Sequence, residues 1–189
     1  FRKKYPQTEK VEWDFVDHNI FSYDPNPFGQ PEFSFYHQGS LNLEHSSKNT
    51  DLVLLAFEKL DEEFPKKTRM IVTGNLTDPS LRSIVNRHPN IKTYDRVLSR
   101  QEIANIYSIT NCVVAPSSRE GLSLSLFEAR ACGCLLITTD APPMNEHNTD
   151  YLCEVANLKK DKSLVAVAEL TVDSIYEQMK KAYEENNYE

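Results

Sequence analysis

The sequence predicts an α/β domain built on a single doubly wound parallel sheet. Three observations carry that expectation. Short apolar or alternating runs (Phe33–Gln38, Arg69–Thr73, Cys112–Ala115 and Cys134–Thr138) alternate with stretches of helical period. Glycines follow the first two runs directly, at Gly39 and Gly74, as tight strand-to-helix loops require. Strands separated by helices are joined by right-handed crossovers, so neighbouring strands run parallel.

Residues 1–31 predict an irregular lead-in or linker. Pro6, Pro25, Pro27, Gly29 and Pro31 interrupt any period, and Trp13, Phe15, Phe21, Tyr23 and Phe28 are scattered aromatics that pack it down. Residues 32–189 form the domain. Phe33–Gln38 alternates and is aromatic, so it is the first strand. A polar loop, Gly39–Ser47, leads to a helix with Asn49 or Thr50 as N-cap and Asp51 in its first turn. Val53, Ala56, Phe57, Leu60 and Phe64 share its apolar face, and Pro65 stops it.

Arg69–Thr73 is the second strand. Asp78-Pro79 pairs an N-cap with a proline at the first helical position, opening a helix to about Arg87. Asn90–Tyr94 is a short third strand. Ser99 and Glu102 are spaced as a capping box, with Ile103, Ile106 and Tyr107 on the apolar side of its helix. The Cys112 strand leads to Pro116, a loop holding Glu120 and Gly121, and a helix from about Leu122 that Gly133 ends. After the Cys134 strand comes a loop that Pro142 and Pro143 stiffen, then a short edge strand, Tyr151–Val155. Residues 156–170 have no legible period. Thr171 caps a last helix carrying Ile175, Met179 and Ala182 on one side, and an acidic tail begins near Glu184.

At 189 residues the chain suits one domain with its own core. Its 40% hydrophobic and 26% charged content is that of a soluble globular protein. A net charge of −7 argues against a nucleic-acid binder. No run approaches the roughly 20 apolar residues of a membrane span, and Phe1–Tyr5 lacks a signal-peptide core. A chain starting without Met is expected to be part of something longer. Cys112, Cys132, Cys134 and Cys153 read as small buried hydrophobes of a reducing, cytoplasmic setting. Cys132 and Cys134 have the wrong spacing for a zinc knuckle, so no metal is expected.

In doubly wound folds, ligands sit beyond the C-terminal ends of the strands. Gly39, Gly74, Arg96, the Glu120 loop and the Asp140 loop all belong to that rim. A helix N-terminus binds phosphate through free N–H groups and the positive dipole end. Gly121 lets a ligand approach the backbone, and Ser123 and Ser125 add hydroxyls. Glu120 is placed to accept from sugar hydroxyls and Glu128 from both hydroxyls of a ribose. Both acids also have plainer roles open to them: Glu120 as an acid favoured near a helix start, Glu128 as a surface acid paired with Arg130 or Arg119. No Gly-x-Gly-x-x-Gly follows the first strand and no Gly-Lys-Ser/Thr occurs, which argues against a dehydrogenase or nucleotide hydrolase.

The segment Asn111–Asp140 resembles the signature of retaining GT-B glycosyltransferases of the group 1, or family 4, type. The matching residues are Pro116-Ser117, Glu120-Gly121, Glu128-Ala129, Ala131-Cys132-Gly133 and Thr139-Asp140. Lys48–Phe57, Gly74 and the stretch from Asn90 to Ile103 extend the likeness, which runs from about Phe33 to Val155. The resemblance implies the Rossmann-like C-terminal half of a GT-B fold, binding a nucleotide-diphosphate sugar and transferring a hexosyl or deoxyhexosyl group to a glycan or other acceptor. It implies that Glu120 contacts the sugar and that the backbone N–H groups of Leu122, Ser123 and Leu124 meet the sugar and diphosphate. It further implies that Glu128 holds the ribose, Lys48 neutralises the leaving diphosphate, and Arg96 and Val97 flank the base. No metal or other cofactor is implied.

Two departures matter. The family usually has Gly-Arg after its first strand, with the arginine on a phosphate; here the pair is Gly39-Ser40, leaving Lys48 alone or with Arg96 or Arg119 in its place. A whole GT-B enzyme also has an N-terminal domain bearing the acceptor, so this chain alone is expected to bind donor without efficient transfer. These departures leave open a second reading, a degenerate docking module of a larger protein. Of the histidines, His18, His45, His88 and His147 lie in loop-like contexts and are expected to be solvated, while His37 stands at a strand end on the rim.

Overall fold

The computed structural model describes residues 16–23, 32–40, 47–146, 150–160 and 166–186. Expectations for Trp13, Phe15, Phe28, His45, His147 and the 41–46 loop fall outside the described residues.

Six parallel strands form the sheet: β1 (Phe33–Gln38), β2 (Thr68–Thr73), β3 (Ile91–Tyr94), β4 (Cys112–Ala115), β5 (Leu135–Thr139) and β6 (Tyr151–Cys153). Their order is β3-β2-β1-β4-β5-β6. The chain builds outward from β1 in one direction, then returns to build outward from β4. The order therefore reverses between β1 and β4, the place where doubly wound sheets leave a crevice for ligands.

Helices α1 (Thr50–Glu63), α2 (Pro79–Arg87), α3 (Arg100–Ser108), α4 (Leu124–Ala131) and α5 (Val172–Asn186) cover the sheet on both faces. Alternate strand residues feed two cores, as the period of two demands. On one side, Phe35, Met70, Val72, Val114 and Ile137 pack with Val53, Phe57 and Leu60 of α1 and Ile175 and Met179 of α5. On the other, Tyr36, Ile71, Val113 and Leu136 pack with Ile106 and Tyr107 of α3 and Leu126 and Ala129 of α4. Phe21 of the lead-in is 1% exposed and belongs to this second core. The four cysteines are buried and free.

Most boundaries fall within a residue or two of expectation. The Asp78 carboxylate accepts from Ser80 N, and the Ser99–Glu102 capping box is formed in both directions. One helix start is corrected: α4 begins at Leu124, because Ser123 sits in the left-handed region at φ 50° and lies outside the helix. Within the stretch 156–170, without legible period, β7 (Asn157–Lys160) and β8 (Ala166–Glu169) pair antiparallel as the two arms of a hairpin. Among the described residues no helix is long and apolar enough to cross a membrane.

Candidate functional site at the strand-order reversal

Parallel pairing brings Gly39, Gly74, Arg96, the Pro116–Ser123 loop and Asp140 to one edge of the sheet, because each follows the C-terminal end of a strand. Gly39 and Gly74 stand back to back. A Cβ on Gly74, whose φ is +123°, would lie 2.9 Å from the Gly39 carbonyl carbon. Gly39 N donates to Thr73 O and Asn75 N to Ser40 O, so these two loops are pinned together.

The loop after β4 is tied to the start of α1. Ser118 N donates to Ser47 O. The Asn49 side-chain amide donates to Pro116 O at 2.7 Å and to Ser118 Oγ at 3.0 Å. Asn49 reaches them because its backbone is left-handed, at φ 53°. It is the residue before α1, yet its side chain makes no capping bond to that helix. Thr139 Oγ1 donates to Ser117 O, and Ala168 N of the hairpin donates to Ser118 O. Three separate elements thus hold one eight-residue loop.

On this frame Lys48 forms an ion pair with Glu120, and Ser117 Oγ donates to the same Glu120 oxygen at 2.7 Å. Glu128 is 19% exposed and its Oε1 lies 3.2 Å from Arg100 Nη2. Arg130 pairs with Asp150 instead, so the expected Glu128–Arg130 or Glu128–Arg119 pairing is replaced by Arg100. Burial raises the Glu128 pKa and Arg100 works against that rise.

Arg96 is committed elsewhere. It bonds Glu102, the capping-box acid of α3, which its guanidinium and the Ser99 donors hold down to about 2. That arrangement keeps the 95–99 loop preformed and leaves Val97 fully outward, 75% exposed. It also removes Arg96 as a ready replacement for the arginine absent at Ser40.

His37 is buried, not at a wet rim. Its Nδ1 is 2.7 Å from Val114 O and its Nε2 2.9 Å from Thr50 Oγ1. Nδ1 donates to the carbonyl and Nε2 accepts from the hydroxyl, so the ring is neutral and joins β1, β4 and α1 beneath the crevice. Burial, with Lys48 nearby, pushes its pKa down to about 4. His88 is also not solvated: its two ring nitrogens face Asp61 and Glu58 of α1.

The capping of the five helices divides along the site. Asp78, Ser99 and Thr171 cap α2, α3 and α5 with side-chain oxygens. The two helices that flank the reversal, α1 and α4, are each entered through a left-handed residue with no side-chain cap. Their first turns receive no side-chain acceptor from the cap residue, although Leu126 N donates to the Ser123 carbonyl. Gly121 has nothing within 4 Å of where a Cβ would stand, so the fold itself does not require glycine there. Beside the crevice, a cavity of about 290 Å³ is lined by Gly39, Ser40, Asp51, Gly74, Asn75 and Asp78 among others. Its carboxylates suit hydroxyls or cations better than phosphate. Among the described residues no three His, Cys, Asp or Glu side chains gather as a metal site needs.

Sequence reasoning singled out Lys48, Glu120 and Glu128 but missed Asn49, Ser117, Ser118 and Arg100 as the residues that hold them. With Asn49 or Thr50 as the expected N-cap of α1, nothing in the local sequence signals that the Asn49 side chain crosses to the β4 loop.

Residues 33–174 match the family model of Glycosyl transferases group 1. The chain is 29% identical over 160 residues to the N-acetyl-alpha-D-glucosaminyl L-malate synthase of Bacillus anthracis; the match takes in 75% of this chain and 41% of that enzyme, so the chain spans less than half its length. Among solved structures, the C-terminal domain of a glycosyl transferase group 1 family protein (LpcC) from Francisella tularensis superposes with a TM-score of 0.68 at 21% identity, covering 89% of this chain and 88% of that one. The pneumococcal O-GlcNAc transferase GtfA, in complex with UDP and GlcNAc, gives 0.63 at 23% identity over 89% of this chain and 32% of that chain.

Proposed function

The chain belongs to the group 1 glycosyl transferases, and from that membership we propose that it is the donor-binding half of such an enzyme, taking a nucleotide-diphosphate sugar. The observation that carries this reading is the reversal of strand order between β1 and β4. The helices that follow β1 and β4 both start without side-chain caps, and Lys48 pairs with Glu120 beside those starts. Helix N-termini and one ammonium suit a diphosphate. A carboxylate held by Ser117 suits sugar hydroxyls, and a half-sheltered Glu128 suits ribose hydroxyls.

In transfer, the bond from the anomeric carbon to the diphosphate breaks and the acceptor oxygen takes its place, with retention of configuration. The acceptor's hydroxyl proton goes to the departing phosphate. Negative charge grows on that phosphate, where Lys48 and the first-turn N–H groups offset it without reorganising. No metal is called for. The acceptor, a glycan or another hydroxyl compound, is presented by a further domain.

Calorimetry with a panel of nucleoside diphosphates and their sugars tests the reading; binding of one member is expected, and silence across the panel sinks it for this chain. One observation favours a second reading, a docking module that has lost catalysis. Ser40 stands where the family's arginine is expected, and among the described residues its neighbours in the cavity include Asp51 and Asp78 but no Lys or Arg. Sugar transfer by the full-length parent, abolished by Glu120→Ala, would exclude that second reading.

A further inference from the structure

Phe21, Arg100 and Glu128 form a line from the lead-in segment to the crevice. Phe21 is buried against Tyr107 with its ring centroid 5.2 Å from the Arg100 guanidinium carbon, and Arg100 Nη2 reaches Glu128 at 3.2 Å. Arg100 is the first residue of α3, where the helix dipole disfavours a cation. Its side chain is also 57% exposed, so burial of its stem does not account for it. Two directional contacts at an electrostatically poor position call for another reason.

We propose that Arg100, backed by Phe21, is a positioning residue that holds Glu128 ionised and oriented toward the ribose hydroxyls. This rests on the donor-binding reading above and assigns a part in it to residues outside the rim. The ionisable groups facing Glu128 are Arg100 and Tyr107 from α3, Tyr36 from β1 and Cys132 at the end of its own helix. Burial pushes Tyr36 up to about 12, Tyr107 well above its usual value, and Cys132 upward. Those three are uncharged at neutral pH, which leaves Arg100 as the cation among them. A protonated Glu128 loses the charge-assisted acceptance through both oxygens, so ribose recognition weakens as pH falls through its pKa. Without Arg100 that failure moves to higher pH.

The test compares UDP, GDP and ADP with their 2′,3′-dideoxy counterparts, by calorimetry across pH, on the wild-type chain and on Arg100→Met. Phe21→Leu, which keeps an apolar side chain but removes the ring, is the second variant. The expected result for Arg100→Met is about fivefold weaker ribonucleotide binding at neutral pH. The acid loss should move to higher pH, and dideoxynucleotides should bind as before. Phe21→Leu should move both in the same direction, by less. Equal weakening of ribo- and dideoxynucleotides would mean that Arg100 meets the ligand directly, and would overturn the proposal, as would no change at all. If the wild-type chain binds none of the probes, the donor-binding reading fails; the Glu128 carboxyl titration, followed by carbon NMR without ligand, then decides the Arg100 link separately. An unchanged titration in Arg100→Met overturns that link.

Discussion

Lys48 and Glu120, 72 positions apart, are joined as an ion pair across the reversal of strand order, with Ser117 donating to the same carboxylate. Under the donor-binding proposal, the pair offers one cation to a diphosphate and one anion to sugar hydroxyls. Replacing Lys48 by Met should weaken a nucleoside diphosphate about tenfold and leave the unphosphorylated nucleoside untouched, since a charge-assisted contact contributes about 1.5–3 kcal/mol. Glu120→Gln should keep diphosphate binding but cut transfer by the full-length parent about a hundredfold. Calorimetry reads the first and product formation the second. A Lys48 variant that loses nucleoside and nucleoside diphosphate alike would remove the charge argument.

His37 makes stability depend on pH. The unfolded histidine takes a proton near 6.5, while the folded one resists until about 4. Below 6.5 the unfolded state therefore binds more protons. The contribution of neutral His37 is complete above 6.5 and is lost as pH falls toward 4, reaching about 2 kcal/mol at pH 5. His37→Leu should cost about 2–4 kcal/mol at pH 7, because Thr50 Oγ1 and Val114 O lose their partner in the core. The gap between wild type and variant should narrow at pH 5. Urea midpoints at the two pH values test this, and a gap that stays constant would mean that His37 does not carry the effect.

His88 works in the opposite sense. Burial opposes its charge, but hydrogen bonds to Asp61 and Glu58 prevail and raise its pKa. Both ring nitrogens face carboxylates, so both need a proton, and Arg87 shares Glu58. The clamp from α1 to the end of α2 is complete below the ordinary histidine pKa and weakens as pH rises through the raised value. Wild type should exceed His88→Ala in melting temperature by more at pH 6 than at pH 9.

The sheet was legible because β2, β4 and β5 are buried on both faces and so read as near-continuous apolar runs, while β1 showed itself by alternating aromatics. Capping residues at Asp78 and Ser99 marked two helix starts for the same local reason. The hairpin was not legible: Asn157–Lys160 is exposed throughout, so no burial imposes a period on it. It still matters to the site, since Ala168 backs the Ser118 carbonyl. Lys48, Glu120 and Glu128 were found through a family pattern; spacing alone left their plainer roles open. Arg100 and Asn49 escaped because their partners lie 28 and 67 or more positions away, and nothing local records such contacts.

Gly74 and Gly121 separate what the fold demands from what a ligand demands. Gly74 needs its positive φ, and a Cβ there would meet the Gly39 backbone at 2.9 Å, where nothing flexible gives way. Gly74→Ala should therefore cost about 1–3 kcal/mol or more, seen as a lower melting temperature. A Cβ on Gly121 meets nothing within 4 Å, and its φ is not in the left-handed region. Gly121→Ala should fold with wild-type stability. If a diphosphate sugar lies against the loop entering α4, the added methyl occupies the space that ligand needs, and binding should fall about tenfold. Thermal melting and calorimetry on the same preparation read the two effects apart. An Ala variant that is stable and binds normally would place the ligand away from Gly121, and so away from the start of α4.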